Sequence, residues 1–416
     1  MKICIHTLGC KVNQYESDAL KRLLEEKGHI VNTSSIDFAD VYILNTCAVT
    51  NEAEKKSRQT FAKFKDKNKD AKIIVCGCAS EKDSSQFRKL EGATYITGVA
   101  SKQKIVDYLD SLETNIYELP TLYEEDFVAN SSSKVRVHLK VQDGCNNFCS
   151  YCIIPYVRGR SRSRSLDSII LEAKNSLNFA KEIVVTGIDI SDYRIDNKLA
   201  LGVLLEELDK LGARIRLGSL EVRLFKDEFF DKISSFKNLC PHFHLSLQSG
   251  CDSVLSRMNR KYKTRDYFNI VKKLRKIYPN CAITTDIIVG FPEETDKEFK
   301  QTVKFVKKLK FAQIHIFPYS KRSGTKAEKF KQVDGKIKKQ RVKLLEQVSN
   351  KLTKKYLNSQ KRKVLDLLIE ECVDGYMVGH TENYVKIYVK GNYEPNSIIK
   401  VKPIKVYKDG MIAKEI

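Results

Sequence analysis

Short apolar runs alternate with amphipathic stretches from the first residues onward. KICIHT (2–7), DVYILNT (40–46) and KIIVCG (72–77) are nearly continuous in apolar residues, at a length suited to strands buried on both faces. Helical periodicity fills residues 14–27, 50–66 and 101–112. This alternation predicts a small α/β domain with a parallel sheet over residues 1–115. ELPTLYEEDFVANSSSK (118–134) has no clear period and ends in a serine run, so residues 116–134 read as a linker.

The alternation resumes over residues 135–358. Strands are expected at VRVHLKV (135–141), EIVVTG (182–187), RIRLGS (214–219), HFHLSL (242–247), AITTDIIVG (282–290) and AQIHIFP (312–318). Helical patterns lie between them, as in SLDSIILEAKNSL (165–177) and TRDYFNIVKKLRKI (264–277). Six βα units predict a partial (βα)6 barrel, with ligands at the C-terminal ends of its strands. A long basic helical pattern spans 334–358. The tail, 359–416, breaks into short strands separated by turn signals, which predicts a small β-barrel. The fold class is therefore α/β with a small all-β domain at the C-terminus.

Composition sharpens this picture. The 416 residues are 42% hydrophobic and 30% charged, typical of a globular protein, and the formal net charge is +22. Such an excess suits a polyanionic partner such as nucleic acid, and suits equally a surface simply rich in lysine. No apolar run approaches membrane-spanning length, and MKICIHTLGC does not resemble a secretory signal, so a cytoplasmic location is expected. In that compartment, twelve cysteines point to metal binding or catalysis more than to disulfides.

Three of them cluster in DGCNNFCSYC (143–152), where Cys145, Cys149 and Cys152 follow a C-x3-C-x2-C spacing with no fourth cysteine nearby. The loop directly follows the first strand of the expected barrel. Three thiolates hold three irons of a 4Fe-4S cube and leave the fourth iron open for a small chelating ligand. A zinc site completed by a distant His or Cys meets the same spacing.

This loop, with Tyr151 before its last cysteine, resembles that of the radical S-adenosylmethionine superfamily. Its extension GCNNFCSYCIIPYVRGRSRSR (144–164) is similar to the methylthiotransferases, which replace C–H by C–S–CH3. TLGCKVNQYES (7–17), NTCAVTNEAE (45–54), CGCAS (76–80), TGIDI (186–190), LQSG (247–250), GFPEET (290–295) and PYSKRSGTKA (318–327) extend the resemblance over nearly the whole chain. It implies a radical S-adenosylmethionine 4Fe-4S cluster on Cys145, Cys149 and Cys152, and an auxiliary 4Fe-4S cluster on Cys10, Cys47 and Cys78. Cys76 competes with Cys78, which is preferred because it follows Gly77 at the strand exit. Cys4, Cys240, Cys251, Cys281 and Cys372 are expected to serve packing. The tail resembles the TRAM domain, an RNA-binding module.

GCKVNQYES and TGIDI are similar to the branch that acts on threonylcarbamoyladenosine at tRNA position 37, rather than on isopentenyladenosine or a ribosomal protein aspartate. The resemblance implies two S-adenosylmethionine molecules, an electron donor such as a flavodoxin or ferredoxin, and a sulfur donor. A rival of another class is a non-catalytic RNA-binding protein with a structural zinc.

Strand ends supply the candidate cofactor contacts. Gly187 lets backbone approach the methionine moiety. Glu221 and Gln248 offer hydrogen bonds to ribose or amino groups, Ile288 and Gly290 a contact for adenine, and Arg260 a partner for the carboxylate. Arg158, Arg160, Arg162 and Arg164, beside the cluster loop, are candidates for substrate phosphate. Tyr384, Tyr388 and Tyr393 of the tail are candidates for stacking on RNA. HFH (242–244) sets two imidazoles on one strand face with no third donor evident, so a structural role is expected for them.

Overall fold

A computed structural model describes residues 1–90, 92–100, 102–111, 122–125, 128–129 and 135–416. Most of the expected linker, 116–134, lies outside the described residues. The N-terminal region is a five-stranded parallel sheet of order β2-β1-β3-β4-β5: β1 Lys2–Thr7, β2 Ile30–Asn32, β3 Val41–Thr46, β4 Lys72–Gly77 and β5 Ala93–Ile96. All six residues of β3 are buried, as its apolar run requires of a central strand.

Helix α1 (Lys11–Glu26) packs Val12, Tyr15, Ala19, Leu20 and Leu24 against the sheet. Helix α2 (Asn51–Lys67) starts where the Thr50 hydroxyl accepts the Ala53 N–H. Glu52 and Glu54 in its first turn and Lys65 and Lys67 in its last complement the helix dipole. In register, Asn45 of β3 sits beside Thr7 of β1 and Cys76 of β4, so these three strands end at one level.

The middle of the chain is an open barrel of parallel strands. β6 (Arg136–Asp143) pairs with β8 (Glu182–Gly187), and β8 with β11 (Arg214–Leu217). A second sheet runs β12 (Ser219–Leu220), β13 (His242–Leu245), β14 (Ala282–Val289) and β15 (Gln313–Pro318). The third strand expected from sequence is thus split at Gly218: its first half joins one sheet and its second half the other. The two-residue β7 (Arg162–Ser163) adds antiparallel to the end of β6, and β9 (Arg194–Ile195) with β10 (Lys198–Leu199) forms a side hairpin.

Strand alternation sorts the residues of this barrel. Phe243, Leu245, Ile283, Ile287 and Ile314 join the main core beneath the outer helices. The intervening His242, His244, Thr284, Asp286, Gln313 and His315 line a cavity in the lumen.

Helix Gly335–Ser359, capped by Asp334 accepting from Lys336 and Ile337 N–H, leads to the C-terminal domain. There β16 (Leu365–Val373), β17 (Tyr376–Thr381), β18 (Lys386–Val389), β19 (Ile398–Tyr407) and β20 (Gly410–Glu415) close a barrel of order β16-β17-β18-β20-β19. It is tied to the N-terminal ends of the larger barrel's strands. Arg136 of β6 pairs with Glu370 at 2.6 Å. Arg216 of β11 donates to the carbonyls of Thr381 and Glu382, both at 3.1 Å.

Candidate active site

Cys47 and Cys78 each follow the last residue of a strand, and Cys10 lies three residues beyond the end of β1. Because those strands end in register, all three thiols collect at one edge of the N-terminal sheet. Gly77, at φ +100°, makes the turn that delivers Cys78 to helix α3 (Cys78–Lys82). A Cβ there would meet Asn45 Oδ1 and Thr46 O at 2.6 Å. Cys76 is instead wholly buried among the sheet's core residues. Burial pushes the Cys47 thiol up to about 12, and the nearby Cys78 and Cys10 add to the shift. Cys4, Cys240, Cys251 and Cys281 are buried as expected, whereas Cys372 is exposed on the C-terminal barrel.

The second trio follows β6. Burial pushes Cys145 and Cys152 up to about 12, with Cys149 close enough to both to reinforce the shift. The two trios share a pattern of donors. Arg158 Nε donates to Cys78 Sγ and Arg260 Nη1 to Cys149 Sγ, each at 3.3 Å. Backbone N–H groups of Val49 and Asn147 point at Cys47 and Cys145 Sγ, each at 3.5 Å.

Arg158 requires a correction. It is 0% exposed, so it is not available to RNA phosphate. Its guanidinium donates to Glu16 Oε1 (2.9 Å), Asp143 Oδ2 (3.1 Å) and Asn13 Oδ1 (2.6 Å), besides Cys78. Lys140 joins the same two carboxylates at 2.9 and 2.7 Å, and Lys102 also pairs with Glu16. Burial alone would raise the Glu16 carboxyl; the charges of Arg158, Lys102 and Lys140 outweigh it and hold the group well below the carboxylate range.

Arg164 is corrected likewise: it is buried against Glu172, the Tyr15 hydroxyl and Ser168. Arg162 is half-buried and turns to Asp143 at 3.2 Å. Only Arg160 of the four is exposed, stacked over Phe148 at 4.5 Å. Arginines alternating with small residues read as a solvated run; Glu16, which helps bury Arg158, is distant in sequence, while Glu172, which buries Arg164, lies on the helix that follows.

Of the expected cofactor contacts, Glu221 and Arg260 are bonded to one another beside Cys149, and Arg260 also donates to Ser246 O at 3.2 Å. Gln248, at φ +65°, exchanges backbone bonds of 2.9 Å with Asp286 and Ile288. Ile288 and Tyr151 pack against the same cluster around Phe291. Gly290 stands apart, its N–H donated to Glu294 at 2.8 Å. Gly187 ends β8 where a Cβ would meet Gln142 O at 2.9 Å.

A model of the Radical SAM superfamily matches residues 139–306, and one of the uncharacterized protein family UPF0004 matches residues 2–98. The chain is 37% identical to the threonylcarbamoyladenosine tRNA methylthiotransferase MtaB of Bacillus subtilis (strain 168), over 100% of this chain and 97% of that one. The chain belongs to the radical S-adenosylmethionine methylthiotransferases. It is 38% identical to the MtaB of Thermotoga maritima over 93% of this chain and 91% of that one. It is 34% identical to the tRNA-2-methylthio-N(6)-dimethylallyladenosine synthase of Alkaliphilus oremlandii, over 89% and 82%. Among solved structures, the radical S-adenosylmethionine methyltransferase TsrM of Kitasatospora setae shares the fold, with TM-score 0.58 and 12% identity over 76% of this chain and 74% of that one.

Radical S-adenosylmethionine proteins work with a 4Fe-4S cluster and S-adenosylmethionine. The residues of this methylthiotransferase fit such a group: thiols gathered at strand ends, with N–H donors aimed at their sulfurs, suit anionic cluster ligands.

Between Cys10 and the C-terminal barrel lies a cavity of about 570 Å³. Gly9, Cys10 and Lys11 line one side, Gly187, Arg216, His244, Asp286 and His315 the lumen, and Tyr384 the far wall. Sequence reasoning missed Lys11, which lies inside GCKVNQYES but carries no ligand pattern of its own, and Arg216, which lies in an apolar-patterned strand. It also missed the third donor beside HFH: His244, Asp286 and His315 hold ligand atoms within 4.8 Å of one another.

Two tail tyrosines are corrected here. Tyr384 is not on an outer sheet face; it is stacked between His242 and His380 at 4.6 Å from each, with Arg216 over its ring at 4.8 Å. Tyr388 is buried against Tyr376 and Tyr407, its hydroxyl bonded to Asp409. Tyr393 keeps a half-exposed ring, its hydroxyl on Glu415 at 2.6 Å.

Proposed function

We propose that this chain replaces the hydrogen on carbon 2 of threonylcarbamoyladenosine, at position 37 of tRNA, with a methylthio group. The full-length relatives named for that reaction support the substrate. The observation that carries the chemistry is a second cysteine trio, on a separate sheet, opening at Cys10 onto the cavity of the barrel.

When bound, a 4Fe-4S cluster on Cys145, Cys149 and Cys152 with one S-adenosylmethionine supplies a 5′-deoxyadenosyl radical, while a second cluster on Cys10, Cys47 and Cys78 supplies the sulfur and another S-adenosylmethionine the methyl group. The protein's own part is to hold and screen. Arg158 and Arg260 keep N–H donors on Cys78 and Cys149, an arrangement that suits sulfur ligands of an anionic cluster. Glu221 and Gln248 orient S-adenosylmethionine at the strand ends, with Arg260 on its carboxylate. Gly187 and Ile288 leave it room. The base, turned out of the anticodon loop, enters the cavity, where the walls exclude bulk water.

In this reading residues 1–115 carry the auxiliary cluster, 135–358 the radical chemistry and 359–416 RNA binding. Arg160 and Tyr393 remain open to RNA. A flavodoxin or ferredoxin and a sulfur donor complete the system in the cytoplasm. Among the described residues no helix is long and apolar enough to cross a membrane.

Anaerobic reconstitution tests the two-cluster scheme. About eight irons per chain are expected, falling to about four when Cys10, Cys47 and Cys78 are replaced together. Unchanged iron in that variant refutes the auxiliary site. Cys149→Ala abolishes reductive cleavage of S-adenosylmethionine. Nucleosides from a deletion strain lose the 2-methylthio form of threonylcarbamoyladenosine; loss of the dimethylallyl form alone would reassign the substrate.

A further inference from the structure

Most charge around the cavity is already committed. Arg216 makes a two-pronged pair with Glu182, at 2.7 and 3.0 Å. Asp286 Oδ2 lies 3.2 Å from His244 Nε2. The Thr284 hydroxyl sits between His242 Nε2 (3.1 Å) and His244 Nδ1 (3.0 Å). One proton arrangement satisfies this whole line: His242 Nε2–H donates to Thr284, Thr284 donates to His244 Nδ1, and His244 Nε2–H donates to Asp286. In this line His244 and Asp286 satisfy one another.

Lys11 differs. It lines the cavity one residue from Cys10, and among the described residues its ammonium has no ion pair or hydrogen bond. Its side chain is exposed along this wall, open to an arriving anion. The other walls mix polar side chains, among them His315, Gln313 and Ser219, with Val12, Leu217 and Phe317.

We propose that this cavity is a subsite for the carboxylate-bearing N6 substituent of the target adenine, with Lys11 as its counter-ion. The proposal rests on the substrate reading above. Geometry favours Lys11 in particular. An N6 ureido group bonds internally to N1 and so sets its amino-acid carboxylate on the edge of the base that carries carbon 2. That edge must face Cys10 for sulfur insertion, and Lys11 is the next residue.

The test uses the full-length, anaerobically reconstituted protein and three anticodon stem-loop RNAs. One carries the N6-threonylcarbamoyl group as the free acid, one carries it as the methyl ester, and the third carries an N6-dimethylallyl group; dissociation constants are read by fluorescence anisotropy. Wild type should favour the acid by about ten-fold or more, as a charge-assisted contact allows. Lys11→Met should bring the ratio close to one, and Lys11→Arg should preserve the preference. Because each protein is compared with itself, a general loss of folding or cluster does not mimic this result. A Lys11→Met protein that still prefers the acid overturns the proposal, as does a wild type that binds acid and ester alike. A wild type that prefers dimethylallyl RNA over both overturns the substrate reading itself, and the subsite with it.

Discussion

Arg158 joins regions distant in the chain through contacts with Asn13, Glu16, Cys78 and Asp143. Arg158→Met would leave Glu16 and Asp143 short of a cation in a dry interface. Removing one partner of a buried charge network typically costs about 3–5 kcal/mol, and the denaturation midpoint of the anaerobic protein should fall accordingly. Glu294 gives a pH signature. Burial pushes its carboxyl up to about 7, although the Gly290 N–H and Arg341 oppose the shift. A carboxyl raised on folding favours the native state fully below its unfolded value and loses that contribution as pH climbs through its folded value. The melting temperature of Glu294→Gln relative to wild type should therefore rise between pH 5 and pH 8. A constant difference would mean that Glu294 ionises as freely in the folded protein as in the unfolded chain.

At the level of elements, the parallel strands were legible because burial on both faces demands an unbroken apolar run, which β1, β3 and β4 display. The split at Gly218 was not: hydropathy marks apolar positions, and RIRLGSL carries them on both sides of Gly218. Nor could local pattern reveal the fate of Arg158, since Glu16 lies 142 residues away. The cysteine positions were readable because a strand end fixes where the next loop emerges. Gly77 is the sharpest case. Gly77→Ala would force a Cβ into Asn45 and the Thr46 backbone at a left-handed position, at a cost of about 1–3 kcal/mol. Cys78 would be displaced, and iron after reconstitution should drop toward about four per chain. Full loading in that variant would detach Cys78 from the auxiliary site.

Across the whole molecule, Tyr384 joins the two barrels. Its ring lies between histidines of each, under Arg216. Tyr384→Ala should remove about 2 kcal/mol of docking, seen as earlier protease cleavage between residues 359 and 365 and as weaker tRNA binding. Unaltered cleavage would place the docking energy in the Arg136–Glu370 and Arg216–carbonyl contacts. The net charge of +22 predicts tRNA affinity that falls steeply between about 50 and 200 mM salt. The far wall of the cavity is itself borrowed from the C-terminal barrel. A chimera that exchanges tails between methylthiotransferases of different nucleosides would thus transplant a piece of the reaction chamber along with the RNA grip, and its selectivity would follow both parents rather than the larger one alone.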